Sequence, residues 1–356
     1  MEIFKKFSML LVMVVFSLAM LNCTKEGPAG PAGKDGAAGK DGADGKDGNA
    51  TCGVCHSDNA DAVNLIFAQY ELSQHNRGVV FDYTAGRISC GGCHTGDGFR
   101  EAVKMGVDDP SSVATEAINC KTCHKIHVNY DETDWAMRHE GPVKLRKTGF
   151  DFDQKVANTC VRCHQARTYN DVAGADTTFI TTGSTTYTRY GPHYATAANV
   201  MAMKGLYHFE GPENIPTNNI HGNLEKGCAS CHMGSLSTNP SVGGHSFKMT
   251  PAQMTQIDEC KTCHPTGDFT AGTKAKEIAA MIAEMREIVV EKGWVDLSSA
   301  PSEYFAQSKE GNYMTKQQVE ATLNYFYISR DRSNGAHNPR YVYAIAKNTL
   351  EFLKTQ

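Results

Sequence analysis

Apolar residues recur at helical spacing mainly in the last part of the chain, where the pattern predicts three helices. The first covers 274–292, ends at Gly293, and has an apolar face formed by Ile278, Met281, Ile282, Met285, Ile288 and Val289. The second opens with a capping box of Thr315 and Gln318 and runs to about Ser329. The third opens at Asn338-Pro339, and its apolar face comprises Val342, Ile345, Ala346 and Leu350. We therefore predict a helical C-terminal region over 273–356.

Upstream of that region the pattern is less regular. A helix is predicted from Asp61 to His75, with Val63, Ile66, Phe67 and Tyr70 on one face. Few other segments between 51 and 272 show a helical or strand period. The fold class expected from the pattern is mainly α with much irregular structure.

The N-terminus has the features of an export signal over 1–22. Lys5 and Lys6 precede an apolar run from Phe7 to Leu21, which is short for a membrane span. Cys23 follows directly, so we expect cleavage before it and attachment of lipid to its thiol. The alternatives are an ordinary cleaved signal that leaves a free thiol, or an uncleaved anchor.

Glycine occupies every third position over eight consecutive triplets that begin at Gly27. This collagen-like repeat contains only two prolines, which makes a marginal triple helix. We interpret 23–50 as a lipid-anchored polar tether, and a trimerising stalk is the alternative.

Twelve of the 13 cysteines lie in six Cys-x-x-Cys-His motifs. Two thiols at this spacing can bond the vinyl groups of a haem, and the adjacent imidazole can ligate its iron. Zinc ribbons and disulfide frameworks do not require a histidine after every second cysteine, so we predict six covalent c-type haems. The motif residues are Cys52, Cys55, His56, Cys90, Cys93, His94, Cys120, Cys123, His124, Cys160, Cys163, His164, Cys228, Cys231, His232, Cys260, Cys263 and His264.

The net charge and the spacing of the motifs lead to two further expectations, one about partners and one about the core. The formal net charge is −4, and haem propionates add negative charge, so a nucleic-acid partner is not expected. Successive motifs start only 38, 30, 40, 68 and 32 residues apart. Segments this short hold little apolar surface of their own, so we predict that packed haems form the core of 51–272 and that the C-terminal helices close over them.

Eight of the 14 histidines lie outside the motifs, at His75, His127, His139, His193, His208, His221, His245 and His337. Imidazole on both faces of each haem would saturate the iron and suit it to electron transfer. The number of free histidines exceeds the number of irons by two.

Several blocks resemble multihaem cytochromes c of anaerobic, often metal-reducing bacteria, in the broad group related to pentahaem nitrite reductase and hydroxylamine oxidoreductase. These blocks include Gln69 to His75, Cys90 to Phe99, Cys120 to His127, Tyr190-Gly-Pro-His193, His221 to Met233, Gly244 to Phe247 and Gly335-Ala-His-Asn-Pro339. The closing His-Asn-Pro before a long helix is the most specific part beyond the haem motifs. The resemblance implies that the distal haem ligands are His75, His127, His193, His221, His245 and His337. The chain departs from the nitrite reductase pattern, in which lysine replaces histidine in one motif, because all six motifs here end in histidine.

These features favour a non-enzymatic electron carrier that passes electrons along six bis-histidine haems to a redox partner or an extracellular acceptor. The alternative is a reductase of a nitrogen or sulfur oxyanion at one haem with an open coordination site, where His139 or His208 would donate protons. The expected location is the outer membrane, on its periplasmic or cell-surface side. A homotrimer through the collagen-like segment or a homodimer through the C-terminal helices would fit the sequence.

Overall fold

The computed structural model describes residues 61–76, 81–169, 191–234, 241–250, 254–255, 257–266, 274–298, 303–305 and 314–356. All of them belong to one compact unit, Gly48–Gln356. The predicted export signal, the lipid site at Cys23, the collagen-like tether and the first motif (Cys52, Cys55 and His56) lie outside the described residues.

Short helices separated by turns make up most of the described chain before residue 274. They are α1 (Asp61–Glu71), α2 (Phe81–Thr84), α3 (Ile88–His94), α4 (Gly96–Met105), α5 (Cys120–Cys123), α6 (Asn158–Cys163), α7 (Ala197–Ala202), α8 (Ala229–His232) and α9 (Asp258–Lys261). Short 3₁₀ turns cover Glu132–Trp135, Lys155–Ala157, His221–Asn223 and Gly244–Ser246. Two antiparallel pairs complete the described elements, β1 (Val143–Lys144) with β2 (Asp151–Phe152) and β3 (Val295–Asp296) with β4 (Tyr304–Phe305).

Three long helices follow the motif region, α10 (Ala275–Glu291), α11 (Lys316–Asp331) and α12 (Pro339–Lys354). The N-terminal caps predicted for α11 and α12 both form. The Thr315 hydroxyl accepts the amide of Gln318, and the Gln318 side chain accepts the amide of Thr315 in return. The Asn338 side chain accepts the amide of Tyr341 at the start of α12. Both caps satisfy amides that a helix N-terminus leaves unpaired.

The apolar faces of the three helices pack against one another. Met285, Leu323 and Ile345 are buried in the same cluster, which also includes Trp294, just before β3, and Phe305, in β4. The C-terminal helices therefore lie in a hydrophobic core of protein side chains. Four buried residues from the motif region also contribute to it: Ala166, Tyr169, Val200 and Leu206. A smaller second cluster surrounds the β1–β2 pair.

Helix α1 ends at Glu71, four residues before the predicted end at His75. The amides of Leu72 and Ser73 bond the carbonyls of Gln69 and Tyr70, three residues back, so the chain tightens into turns. His75 consequently lies beyond the helix rather than on it.

Among the described residues, no helix has both the length and the apolar composition needed to span a bilayer.

Candidate haem centres

Each of the five described Cys-x-x-Cys-His motifs contains at least part of a short helix: α3, α5, α6, α8 or α9. In four of them the histidine amide bonds the carbonyl of the first cysteine, at 2.9–3.1 Å. Positions i, i+3 and i+4 of a helix share one face, so this turn places both thiols and the imidazole on the same side. That is the arrangement needed to hold one macrocycle by two thioethers and one iron bond.

Every described motif histidine faces an imidazole from elsewhere in the chain. The ring centroids of the five pairs are 6.0–6.4 Å apart, and the pairs are His94–His193, His164–His75, His124–His245, His232–His337 and His264–His221. An iron bonded to one nitrogen of each ring at about 2.0–2.1 Å would separate the centroids by roughly 6.3 Å. The spacing of all five pairs therefore fits two axial ligands on one iron.

Four of these histidines have an Nδ1 contact that leaves Nε2 for a metal. The Nδ1–H of His124 donates to the carbonyl of Trp135, that of His221 to the carbonyl of Ala336, and that of His232 to the carbonyl of Phe247, at 2.6, 2.6 and 2.9 Å. Because a carbonyl can only accept, Nδ1 must carry the proton in each case. Such bonds fix the orientation of a ligating ring.

The fourth contact is to a side chain. His337 Nδ1 lies 2.5 Å from the Asp331 carboxylate. Burial acts to lower the pKa of His337, but the charge of Asp331 and its hydrogen bond raise it more, so the pKa lies above its ordinary value.

Burial lowers the pKa of several other imidazoles in these pairs. It does so for His75, His94, His232 and His245, and it brings the pKa of His164 to about 3. A neutral imidazole is the form that binds iron. The surroundings of these rings therefore hold them in the ligating state at neutral pH.

Loop geometry holds the partner histidines in place. His127 and His193 have φ angles of 62° and 66°, in the left-handed region that costs most residues about 1–2 kcal/mol. The Asp134 carboxylate accepts the amides of His127, Asn129 and Tyr130 at 2.6, 2.8 and 3.2 Å, which offsets that cost for the His127 loop.

His245 is positioned by helix α1. The Gln69 side-chain oxygen accepts the amide of His245 at 3.0 Å, across a large separation in sequence. Tyr70, the next residue on α1, donates its hydroxyl to the carbonyls of Ile118 and His75. Helix α1 thus supports two of the predicted distal ligands, His245 and His75.

One continuous cavity of about 2540 Å³ connects these groups. This is several times the roughly 300–1,000 Å³ of an ordinary ligand pocket. Its lining includes every described motif cysteine and all five motif histidines, together with His75, His127, His193, His221, His245 and His337. The residues that line it fit several haem c groups.

The other two histidines lie outside that lining. His208 Nε2 is 3.4 Å from the hydroxyl of Tyr341, and the backbone of His139 exchanges hydrogen bonds with the Thr159 hydroxyl. In the part of the chain that is described, no three His, Cys, Asp or Glu side chains converge in a way that could hold a metal ion, and no cysteine is in a disulfide.

Contacts between motifs show which attachment points are neighbours. The thiols of Cys93 and Cys163 hydrogen-bond, and each also lies 3.9 Å from a backbone carbonyl of the other motif. The thiols of Cys231 and Cys260 form a second such contact. Side chains that attach different macrocycles therefore adjoin each other in two places.

Comparison with known proteins gives one family match. Residues 206–355 match the family described as cytochrome c552. No curated protein matches the chain. Among solved structures, the outer cell wall cytochrome OcwA is similar at 17% identity with a TM-score of 0.49, over 81% of this chain and 50% of OcwA.

The family match covers two of the six motifs and all of the long C-terminal helices. The predicted resemblance is thereby confirmed: the chain is similar to the multihaem c-type cytochromes, which bind haem c covalently and transfer electrons.

Proposed function

We propose that this protein carries electrons along six bis-histidine haems to a redox partner or an extracellular acceptor. The observation that supports this most strongly is the set of five imidazole pairs, spaced 6.0–6.4 Å apart around one cavity lined by the motif cysteines. Haem c, when bound, supplies an iron that accepts and releases single electrons. The residues of the chain fix, orient and shield that group.

We assign each distal ligand from the facing rings. His193 is assigned to the motif that ends at His94. The other assignments are His75 to the motif of His164, His245 to that of His124, His337 to that of His232, and His221 to that of His264. His127 also lines the cavity, and the family resemblance implies it as the sixth distal ligand.

The thiol contacts order the attachment points. The motif at Cys160–His164 adjoins the motif at Cys90–His94, and the motif at Cys228–His232 adjoins the motif at Cys260–His264. Cys160 is also close enough to Cys123 and Cys228 to affect the pKa of both thiols. In the proposed arrangement the Cys160–His164 motif therefore has three neighbouring motifs.

The reductase alternative is not favoured. It needs an iron whose second axial side is open to a small oxyanion. All five described motif histidines face a second imidazole, and the two candidate proton donors, His139 and His208, lie outside the cavity lining.

The remaining parts of the proposal concern location. Export by the 1–22 signal, a lipid at Cys23 and a polar tether over 23–50 would hold the haem-binding region at the outer membrane, within reach of its partner. A homotrimer through the tether or a homodimer through the C-terminal helices stays a prediction.

The test is a series of single histidine-to-alanine variants. His75→Ala, His193→Ala, His221→Ala and His245→Ala should each convert one haem to high spin and let it bind carbon monoxide when reduced. Added imidazole should restore the low-spin spectrum. His139→Ala and His208→Ala are matched controls and should leave every haem low-spin. A series in which the controls behave like the ligand variants, or in which no variant opens a site, would refute the assignment.

A further inference from the structure

Asp331 occupies a position that is unfavourable for a carboxylate. It is the last residue of α11, and only 1% of its side chain is exposed. The C-terminus of a helix carries partial negative charge, which disfavours an anion, and burying a charge costs more. A carboxylate kept in such an unfavourable position indicates that a contact or a function compensates for its cost.

The contacts of Asp331 point to that role. One carboxylate oxygen accepts His337 Nδ1–H at 2.5 Å, and the other accepts the Ser333 hydroxyl. The backbone amide of His337 in turn reaches the Ser333 hydroxyl at 3.4 Å. Both carboxylate oxygens are therefore used, and one of them is directed at the ring.

The turn from Asp331 to His337 is built to hold this contact. Arg332, Asn334 and Gly335 have φ angles of 57°, 47° and 90°. The φ of Gly335 favours glycine, and a Cβ there would also lie 2.4 Å from the terminal methyl of Ile278 on α10. Strained backbone persists where the surroundings fix it, and here it places the ring of His337 over that of His232 at 6.1 Å.

The carboxylate distinguishes His337 from three comparable histidines. His124, His221 and His232 donate Nδ1–H to neutral backbone carbonyls. A charged acceptor draws the Nδ1 proton more strongly and makes the imidazole a better electron donor to its metal. A stronger axial donor and a buried negative charge both stabilise ferric over ferrous iron.

We propose that Asp331 is a positioning residue that acts through His337 to lower the reduction potential of the haem held at His232. This rests on the proposed ligation by His232 and His337. An electron would therefore reside on this haem less readily than on one whose histidines have only carbonyl acceptors.

The test is a redox titration of the holoprotein, followed by visible absorption and by electron paramagnetic resonance. Asp331→Asn keeps the size and an acceptor oxygen but removes the charge. It should shift one haem potential upward, change the g values of one low-spin signal, and leave all haems low-spin. Asp331→Glu restores the charge and should bring the potential back toward that of the wild type. Asp151→Asn, which removes a charge at a side chain that is 66% exposed, should shift no potential measurably.

Four results would overturn the proposal. Three concern the potentials: no shift in Asp331→Asn, an equal shift in Asp331→Glu, or a shift spread over several haems. The fourth is a haem that becomes high-spin in Asp331→Asn or Asp331→Glu, which would show that Asp331 only holds the ring in place. His337→Ala separates this from failure of the proposed function. If that variant leaves every haem low-spin without a substitute ligand, the ligation assignment itself is wrong.

Discussion

The pairing of Asp331 with His337 predicts that one substitution will change stability in opposite directions in two backgrounds. In the otherwise native protein, the ring of His337 donates to a charged carboxylate, and a hydrogen bond of that kind is worth about 1.5–3 kcal/mol. Asp331→Asn replaces it with a hydrogen bond to a neutral amide oxygen, which is worth about 0.5–1.5 kcal/mol. We expect it to destabilise the protein by about 1 kcal/mol.

In the His337→Ala background the same change should stabilise the protein. Of the two side chains in the described residues that bond this carboxylate, which has 1% of its side chain exposed, the Ser333 hydroxyl then remains. Removing one partner from a buried charged pair costs about 3–5 kcal/mol, because the other charge is left uncompensated. Asp331→Asn eliminates that charge and should recover about 1–3 kcal/mol, or several degrees of melting temperature at roughly 2–4 °C per kcal/mol.

The assay is thermal unfolding of the four holoproteins, followed by circular dichroism and by the haem absorption band. The single His337→Ala variant and the double variant share the same missing ligand, so the loss of the iron bond cancels in their comparison. Asp151→Asn in both backgrounds is the control and should have the same small effect in each. If Asp331→Asn has the same sign in both backgrounds, the two side chains are not coupled and the reasoning fails.

Three further predictions concern the haem count, the anchor and the packing of one motif. The intact mass of the mature protein should exceed that of its polypeptide by six haems, and five or fewer would refute the count. Cys23→Ala should release the protein from membranes, and retention in the membrane fraction would mean a different anchor. Gly92→Ala should lower the melting temperature, because a Cβ there would lie 2.1 Å from the carbonyl oxygen of Asp108, and such overpacking costs about 1–3 kcal/mol or more. Gly141→Ala, with nothing within 4 Å, should not.

Elements with local signals could be predicted from the sequence. The capping box of Thr315 with Gln318 and the Asn338-Pro339 start both form as expected, because each depends on residues within one helical turn. The end of α1 was not located from the sequence, because no side-chain pattern marks the point after Glu71 where the backbone tightens into turns. Helix ends depend on where unpaired carbonyls find partners, and spacing does not record that.

The predicted haem core concerns 51–272 and stays a prediction, whereas the C-terminal helices have a core of protein side chains. There, Met285, Leu323 and Ile345 pack into a core of ordinary side chains. The apolar stripes were visible in the sequence, and their burial against one another follows from three long helices adjacent in the chain. Their role in closing over haems stays a prediction, which the lining of the cavity by the turn from Asp331 to Pro339 supports.

In the candidate site, too, residues with a local sequence signal were predicted and residues that depend on distant contacts were not. The motif histidines were evident because each follows its cysteines within one turn, whereas the facing ring comes from a distant loop. Resemblance to a family indicated which histidines were candidates, but not which ring faces which motif. The roles of supporting residues such as Gln69, Asp134 and Asp331 were not predicted, because their contacts are made within a loop or between distant segments.

The turn between α11 and α12 links two of the proposed centres to the C-terminal core. His337 faces His232, while the carbonyl of the preceding residue, Ala336, accepts Nδ1–H of His221, which faces His264. The Asn219 side chain also donates to the backbone carbonyl of His337, which joins the two ligand loops directly. A bond between iron and His337 would therefore favour the conformation of the turn, and with it the packing of α11 against α12. Groups that bind only the folded state stabilise it, so ligation at these two centres and folding of the C-terminal helices should be coupled although the helices carry no haem-attachment motif.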